Sequence, residues 1–252
     1  MQRYFLEVSY QGTNYSGFQM QKNANSIQAE VEKAFDILQK GAVAMTGSSR
    51  TDAGVHALQN FFHFDYAGAI HPQFLYKINS ILPADIVVKR IVPVASECHC
   101  RFDAISREYN YFIYRSKNPF LRDRAFYFPY KLEVEKMQEA AKMLKLYHDF
   151  TSFSKRNTQV KSFECDIQES EWILDRGCLV YRVVANRFLR GMVRALTATM
   201  LRVGRGLIST REFEEIIEAR DCTRSSFAVA ARGLFLVSVS FPEVMNLGKI
   251  AD

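Results

Sequence analysis

Short stretches of alternating or helically spaced apolar residues predict the elements of the first third of the chain. The predicted elements are, in order, a strand at 3–10, a helix at 27–38, strands at 42–45 and 58–64, a helix from 72 to 82 and a strand at 86–93. The first helix is opened by a capping box at residues 25–28 and ended by Gly41. Leu75, Ile78, Asn79 and Leu82 are the predicted face of the second helix. This order is the split β-α-β pattern.

The rest of the chain repeats a similar order with insertions. The predicted elements are a strand at 107–115, a helix through 137–147, a hairpin at 165–185 turning at 175–177, a long helix from Asn186 to about Val203, a helix from the Ser209 capping box and a strand at 234–240. We therefore predict an α+β protein of two related βαββαβ halves, ferredoxin-like or RRM-like. The halves form one continuous, mostly antiparallel sheet with a central cleft for the active site. The predicted domains are 1–104 and 105–245, with a tail at 246–252.

Composition indicates the charge of the partner and the cell compartment. The 252 residues are 48% hydrophobic and 24% charged, with a net charge of +6 and a pI of about 9.0, which favours a polyanionic partner such as nucleic acid. Five cysteines without a CxxC pair indicate a reducing, cytoplasmic setting rather than a disulfide framework. We expect neither export nor a membrane segment, because no long apolar stretch is present.

The loop at residues 46–57 is the strongest candidate for chemistry. Gly47 and Gly54 permit unusual backbone angles, and Arg50 lies two residues before Asp52. A guanidinium near a carboxylate favours the ionised form, which can act as a nucleophile or a base. The alternative is a simple Asx turn beside a solvated arginine. The loop by itself leaves both interpretations open.

An arginine-rich face is predicted on the helix from Asn186. At 100° per residue, five arginines fall within an arc of roughly 120°. They are Arg187, Arg190, Arg194, Arg202 and Arg205. No acidic residue occurs from 185 to 208, so this face is predicted to bind phosphates. A solvated charged face is the alternative.

Two aromatic segments are weaker candidates for substrate contact. Tyr109 and Tyr111 share one face of their strand, where a tyrosine can stack on a flipped base or simply pack in the core. The aromatic and basic loop at 149–156, with Phe150 and Ser152, either contacts RNA or caps the preceding helix.

Metal and nucleotide cofactors find little support in the sequence. Cys98 and Cys100 would share a strand face with His99 opposite, and the zinc deaminase signature is missing. There is no P-loop and no GxGxxG motif. We therefore expect no metal site and no cofactor.

Ordered motifs along the whole chain resemble the tRNA pseudouridine synthase A family, which modifies uridines of the anticodon stem-loop. Residues 47–57 resemble its G-x-x-R-T-D-x-G-V-H-A signature, and further matching segments lie at 10–13, 17–21, 99–104, 107–111, 149–153, 188–189, 192–194 and 233–234. The resemblance implies a cofactor-free isomerase with tRNA as its partner and a homodimer that binds one tRNA across both subunits. The modified positions it implies are 38, 39 and 40 of the tRNA.

The resemblance also implies site residues. Asp52 is the expected nucleophile on a flipped-out uridine, with Arg50, Tyr109 and Arg194 as the other catalytic residues. The expected substrate contacts are Tyr109, Arg187, Arg190, His56, Phe150 and Ser152. The carboxylate could add to carbon 6 of uracil or carbon 1 of ribose, or remove a proton from ribose carbon 2. The sequence leaves these three routes open.

The chain departs from the family pattern at six positions. Ser48 and Ser49 replace a frequent Ala-Gly, and the other departures are Gly191, Ala195, Ala198 and Ala230. These departures concern which tRNA positions are modified and how the backbone is held. A non-catalytic RNA-binding protein on the same scaffold and a metal-dependent nuclease are the alternative functions.

Overall fold

The computed structural model describes residues 1–156, 160–245 and 247. The chain divides into two compact units. The first unit comprises Met1–Ile105 and the described residues from Leu236 onward, and the second comprises Ser106–Phe235. No helix within these described ranges is long and apolar enough to cross a membrane.

The first unit has the predicted element order. Its elements are β1 (Gln2–Tyr10), α1 (Ile27–Gln39), β2 (Thr46–Gly47), β3 (His56–Tyr66), α2 (Phe74–Ile81) and β4 (Ile86–Val94). β1 pairs antiparallel with both β3 and β4, and the short β2 pairs antiparallel with β3. The side chain of Ser26 caps α1 by accepting a hydrogen bond from the Ala29 amide. The predicted capping box at residues 25–28 is not completed, because the Gln28 side chain donates to Glu32 and to the Met45 carbonyl instead.

Aromatic rings fill the core between this sheet and its helices. The fully buried ring of Phe35 on α1 makes edge contacts with Phe64 at 5.0 Å, Tyr66 at 5.3 Å and Phe74 at 5.9 Å between ring centroids. Burial of each such ring contributes about 1.5–3 kcal/mol to stability. These contacts fix the helices on one face of the sheet. The position of the candidate loop between β2 and β3 depends on this packing.

Two predictions in this unit are wrong in detail. The run at 42–45 is not a strand, because side chains of α1 take the backbone groups of Met45: its amide donates to Glu32 Oε1 at 2.8 Å and its carbonyl accepts from Gln28 Nε2 at 2.7 Å. Leu75 is 37% exposed, while Phe74 is buried against Phe35. The contact of Phe74 therefore sets the buried face of α2.

The described residues of the second unit form a three-stranded antiparallel sheet and three α-helices. Its elements are β5 (Ser106–Tyr114), β6 (Phe126–Tyr127), α3 (Val134–Met143), β7 (Ile167–Asp175), β8 (Cys178–Ala185), α4 (Met192–Gly204) and α5 (Thr210–Glu218). β8 lies between β5 and β7, and β6 adds a short parallel pairing to β5. The predicted hairpin is confirmed, with Arg176 and Gly177 at φ values of 46° and 79° in its turn. The capping box of Ser209 and Glu212 is also present.

The prediction of a long arginine-faced helix is wrong. α4 begins at Met192, six residues later than predicted, because Gly191 at its N-cap has a φ of 76° that interrupts the helix. Arg187 and Arg190 precede α4 and lie outside the helix. The helix is buried on nearly every side, and its arginines Arg194 and Arg202 are only partly exposed. A single arginine face therefore does not form.

The last strand, β9 (Leu234–Ser240), pairs with β3, and its residues from Leu236 onward belong to the first unit. The predicted domains at 1–104 and 105–245 stay a prediction. Of the predicted tail at 246–252, the structure describes Leu247, whose carbonyl oxygen accepts a hydrogen bond from Arg90 at 2.6 Å. The other tail residues lie outside the described residues. The chain is α+β with largely antiparallel sheets, as predicted.

Candidate active site

The candidate loop connects β2 to β3, and a buried polar network holds it from below. Asn60 on β3 is fully buried; its Oδ1 accepts from the Ser49 amide at 3.3 Å and its Nδ2 donates to the Ser49 carbonyl at 2.8 Å. Asn60 Nδ2 also reaches the hydroxyl of Tyr10 at 3.2 Å, and that hydroxyl is 2.8 Å from Thr51 Oγ1. These bonds fix the loop backbone immediately before Asp52.

The segment that follows β1 supports the loop from the side. A Cβ placed on Gly12 would overlap the carbonyl oxygen of Val55, so only glycine allows this approach. Gly17 has a φ of 108°, and a Cβ there would lie 3.0 Å from the Thr51 carbonyl oxygen. The amide of Phe18 donates to the same oxygen at 3.1 Å. The small residues in these positions thus let the protein's own backbone pack against the loop.

Asp52 lies at the start of a tight turn in this supported loop. Its carbonyl oxygen accepts from the Val55 amide at 3.2 Å, and Gly54 supplies the positive φ of 77° that the turn requires. The Asp52 side chain is partly buried, whereas Arg50 is exposed and lines a cavity of about 170 Å³ in the first unit. A carboxylate on a fixed backbone is suited to catalysis, which depends on accurate placement of the reacting group.

His56 lies beneath the loop and has little contact with solvent. The ring is 2% exposed, and its Nδ1 accepts a hydrogen bond from the Gly12 amide at 3.3 Å. Because this bond joins the loop to the segment after β1, His56 positions the loop. Its predicted contact with substrate stays a prediction.

The hydroxyl groups of Ser48 and Ser49 are buried and have no hydrogen-bond partner among the described residues. An unpaired buried hydroxyl costs about 1–3 kcal/mol. These are two of the positions at which the chain departs from the family pattern. Ser48 and Ser49 therefore lower the stability of the loop, whereas Ala and Gly at these positions would not.

In the second unit, Tyr109 and Arg194 have partners that fix their orientation. Tyr109 is 9% exposed on β5, and its ring makes an edge contact with Phe188 at 5.0 Å. Arg194 lies in the first turn of α4, where its Nε and Nη2 donate to the Val229 carbonyl at 3.1 and 2.7 Å. The predicted shared face of Tyr109 and Tyr111 agrees with their burial, and the Tyr111 hydroxyl donates to the Ala230 carbonyl at 2.6 Å.

The remaining predicted contacts divide into accessible and buried residues. Arg190 is exposed and Arg187 is partly exposed, so both residues are accessible to solvent at least in part. Phe150 and Ser152 are fully buried, and Ser152 Oγ accepts from the Asp221 amide at 2.9 Å. The loop at 149–156 therefore holds these two side chains within the fold, and their predicted contact with substrate stays a prediction.

The cysteine and histidine cluster has a geometry that the sequence did not predict. Residues 98–100 follow β4 in a turn and are not on a strand. His63 Nδ1 lies 3.2 Å from Cys100 Sγ, and the rings of His63 and His99 are 4.4 Å apart. Burial, with smaller effects from neighbouring cations, lowers the pKa of His63 to about 4, so the ring is neutral at pH 7. Among the described residues, no three His, Cys, Asp or Glu side chains converge to hold a metal.

Several residues that shape the site are not evident from the sequence. Asn60 and Tyr10 act through contacts 11 to 50 residues apart in the chain, which periodicity does not reveal. Phe102, exposed beside the loop, lies in the matching segment at 99–104, for which no role is predicted. A role for Phe102 could have been predicted from its position directly after Arg101, because adjacent aromatic and basic residues are typical of nucleic-acid contacts.

Comparison with known proteins gives the family. The family model described as tRNA pseudouridine synthase matches residues 7–103 and 140–242. A protein named tRNA pseudouridine synthase A from Parabacteroides distasonis is 43% identical over 245 residues, covering 96% of this chain and 97% of the relative. One of the same name from Porphyromonas gingivalis is 42% identical, covering 98% and 100%.

A solved structure also matches, but too weakly to carry an argument. It is the CRISPR endoribonuclease Cse3 bound to a 19-nucleotide RNA, at 10% identity with a TM-score of 0.21, covering 81% of this chain and 97% of that one. The sequence relatives and the family model extend over both units. The chain therefore belongs to the tRNA pseudouridine synthase family of isomerases.

Proposed function

We propose that this protein isomerises uridine to pseudouridine in the anticodon stem-loop of tRNA, with Asp52 as the catalytic carboxylate. The observation that carries the proposal is the Asp52 turn, which is held by Asn60 from below and by residues 12–18 from the side. Because these contacts already hold the loop in place, no free energy is needed to order it when the uridine reacts. We propose uridine isomerisation as the reaction because the chain belongs to the tRNA pseudouridine synthase family.

The proposed reaction needs one carboxylate and no cofactor. The bond from nitrogen 1 to ribose carbon 1 breaks, the base turns, and carbon 5 bonds to the ribose. The proton on carbon 5 is released and nitrogen 1 ends protonated, so no group is lost and no redox change occurs. Asp52 starts the reaction as nucleophile or base. The uridine must leave its stack, which costs a few kcal/mol and least in a loop or at a stem end.

The proposal gives the other residues distinct roles. Arg50 binds the flipped nucleotide or fills its vacated place, Tyr109 stacks on the base, and Arg194 orients the carboxylate or a phosphate. Arg187 and Arg190 bind the tRNA backbone, which suits their access to solvent. His56, Phe150 and Ser152 are buried, and we propose that they contribute to substrate binding by holding the loops that carry them in place.

The proposal extends to organisation and location. We take the two units to be related ferredoxin-like halves, since β8 lies between β5 and β7 as β3 lies between β1 and β2. The functional halves of each chain are residues 1–104 and 105–245. Two such chains form a homodimer that acts in the cytoplasm. Five free cysteines support the reducing compartment.

A position-resolved assay tests the substrate assignment. Unmodified tRNA with uridine at only one of positions 38, 39 and 40 is incubated with the protein, and pseudouridine is mapped chemically. We expect product at one or more of these positions and none in transcripts that lack all three. Product confined to another part of the tRNA would contradict the anticodon assignment. Binding without product anywhere would favour the non-catalytic RNA-binding function.

A further inference from the structure

The cavity of about 170 Å³ beside the candidate loop lies entirely in the first unit. Gly47 and Arg50 line one side, and Arg101 and Phe102 line the other. The buried ring of Phe18 is also part of its lining and stacks on Phe62 at 4.5 Å between centroids. Among the described residues, those that line the cavity do not include Asp52. A group bound here is therefore held beside the catalytic carboxylate and not against it.

Phe102 is presented at this cavity on an ordered turn. The Phe102 side chain is 73% exposed. His99 Nδ1 accepts from the amides of Arg101 at 3.1 Å and Phe102 at 3.3 Å, and Asp103 Oδ2 accepts from the His99 amide at 2.7 Å. These bonds fix the backbone under an exposed aromatic ring. Little conformational entropy is then lost when a ligand contacts the ring.

The groups around Phe102 form a cationic stacking surface. The guanidinium carbon of Arg101 lies 5.6 Å from the centre of the Phe102 ring, and the His99 ring packs on it at 4.3 Å. Arg50 adds a second cation, and none of the described lining residues is acidic. Aromatic rings and guanidinium planes bind unstacked nucleobases, and the cations attract the accompanying phosphates. An apolar peptide segment would not need the two cations.

We propose that this cavity binds an unstacked nucleobase of the tRNA other than the uridine being isomerised, with Phe102 as its stacking partner. The inference rests on the proposed function, because it takes tRNA as the substrate. Base stacking on an aromatic side chain contributes to affinity without a role in the chemical step. Phe102 is thus a substrate-binding residue, and its loss affects binding more than the rate at saturation.

The first test compares Phe102→Ala with a matched exposed phenylalanine. Phe120, 82% exposed in the second unit, lines neither described cavity, and Phe120→Ala is the control. We expect Phe102→Ala to weaken tRNA binding about tenfold and to leave the single-turnover rate at saturating tRNA unchanged. Phe102→Tyr should restore affinity, and Phe120→Ala should bind as wild type does. Equal melting temperatures establish that the variants fold.

The second test detects the stack directly. The chain has one tryptophan, Trp172, which is 6% exposed, so Phe102→Trp adds a tryptophan at the proposed site against a buried background. Unmodified tRNA should quench the added fluorescence saturably, at the concentrations that saturate binding, because a stacked base quenches indole emission. The same titration of Phe120→Trp should show no such quenching.

The outcomes separate this inference from the proposed function. Wild-type turnover with unchanged affinity in Phe102→Ala and no quenching in Phe102→Trp would overturn the inference alone. A wild type that neither binds nor modifies tRNA would overturn both. Weakened binding, an unchanged saturated rate and quenching confined to Phe102→Trp would establish the site.

Discussion

At the scale of single residues, local sequence indicated the chemistry but not its support. Asp52, Arg50 and the turn glycine Gly54 lie in one short motif, so they could be predicted together. The role of Asn60 could not be predicted, because nothing in the sequence distinguishes it from any other asparagine on a strand. Its role is evident only from its hydrogen bond to Ser49, 11 residues away in the chain. The residue that holds a site is often identifiable only once the fold brings its partners together.

The first residue-scale prediction concerns Asn60. Asn60→Ala leaves the amide and carbonyl of Ser49 buried without this partner, which costs about 1–3 kcal/mol in the free energy of unfolding. It should also lower turnover, because the loop before Asp52 loosens. Asn79 bonds both backbone groups of Val88 at 2.8 Å and serves as the matched control. Asn79→Ala should lose comparable stability and retain wild-type kcat in the folded protein. Equal kcat in both variants would exclude a positioning role for Asn60.

The second residue-scale prediction is a pH dependence of stability from His63. Its pKa falls from the ordinary 6.5 to about 4, mainly through burial; His99 and Arg3 lower it further, while Asp65 and Asp103 raise it. The unfolded chain therefore takes up this proton first as the pH falls. Stability should decrease between pH 6.5 and 4, by up to about 3 kcal/mol, and this contribution should be constant above pH 6.5. Denaturant titrations of His63→Phe should show a shallower decrease; an equal slope would contradict the assignment.

At the scale of elements, most strands and the Ser209 cap agree with the sequence pattern. Errors arose where side chains bond the backbone groups that a strand would have paired, or where a backbone angle interrupts a helix. Residues 42–45 are apolar enough for a strand, yet Glu32 and Gln28 of α1 satisfy the backbone of Met45 instead. The periodicity before α4 looked helical, but Gly191 adopts a positive φ. In both places a tertiary contact or a backbone angle outweighs hydrophobic spacing.

The element-scale prediction tests the packing of the turn after β1 on the candidate loop. In Gly12→Ala the added methyl overlaps the Val55 carbonyl oxygen, so the backbone must move. We expect a loss of about 1–3 kcal/mol in stability and a larger loss of turnover. Gly41→Ala is the control, since its Cβ would meet its nearest atom at an ordinary 3.7 Å. Chemical denaturation and tritium release measure the two effects. Wild-type turnover in Gly12→Ala would show that the loop tolerates movement.

At the scale of the whole molecule, the sequence predicted the α+β class and the basic character, while the placement of β9 required the structure. The net charge of +6 does not show where polyanion binding occurs. The predicted single arginine face does not form, because α4 is buried and Arg187 and Arg190 precede it. The clustering of arginines in the sequence therefore did not predict the surface that they form, and their binding to phosphates stays a prediction.

The whole-molecule prediction concerns the salt dependence of tRNA binding. Arg187→Gln with Arg190→Gln should weaken binding and reduce the slope of log affinity against log salt by roughly 0.7–0.9 for each phosphate that is no longer neutralised. Arg176→Gln with Arg211→Gln removes the same charge from exposed positions whose side chains are 94% and 87% accessible. This control should leave the slope nearly unchanged. Equal slopes for both double variants would reject specific phosphate binding by Arg187 and Arg190.

The most direct test of the central claim is tritium release from carbon-5-labelled uridine in unmodified tRNA, without added metal, by wild type and Asp52→Asn. Asparagine keeps the shape of the side chain and removes its charge, so binding should persist. We predict that wild type releases label and that Asp52→Asn binds the same tRNA and releases none. Release by Asp52→Asn at the wild-type rate, with equal tRNA affinity, would contradict the role of Asp52 as the catalytic carboxylate.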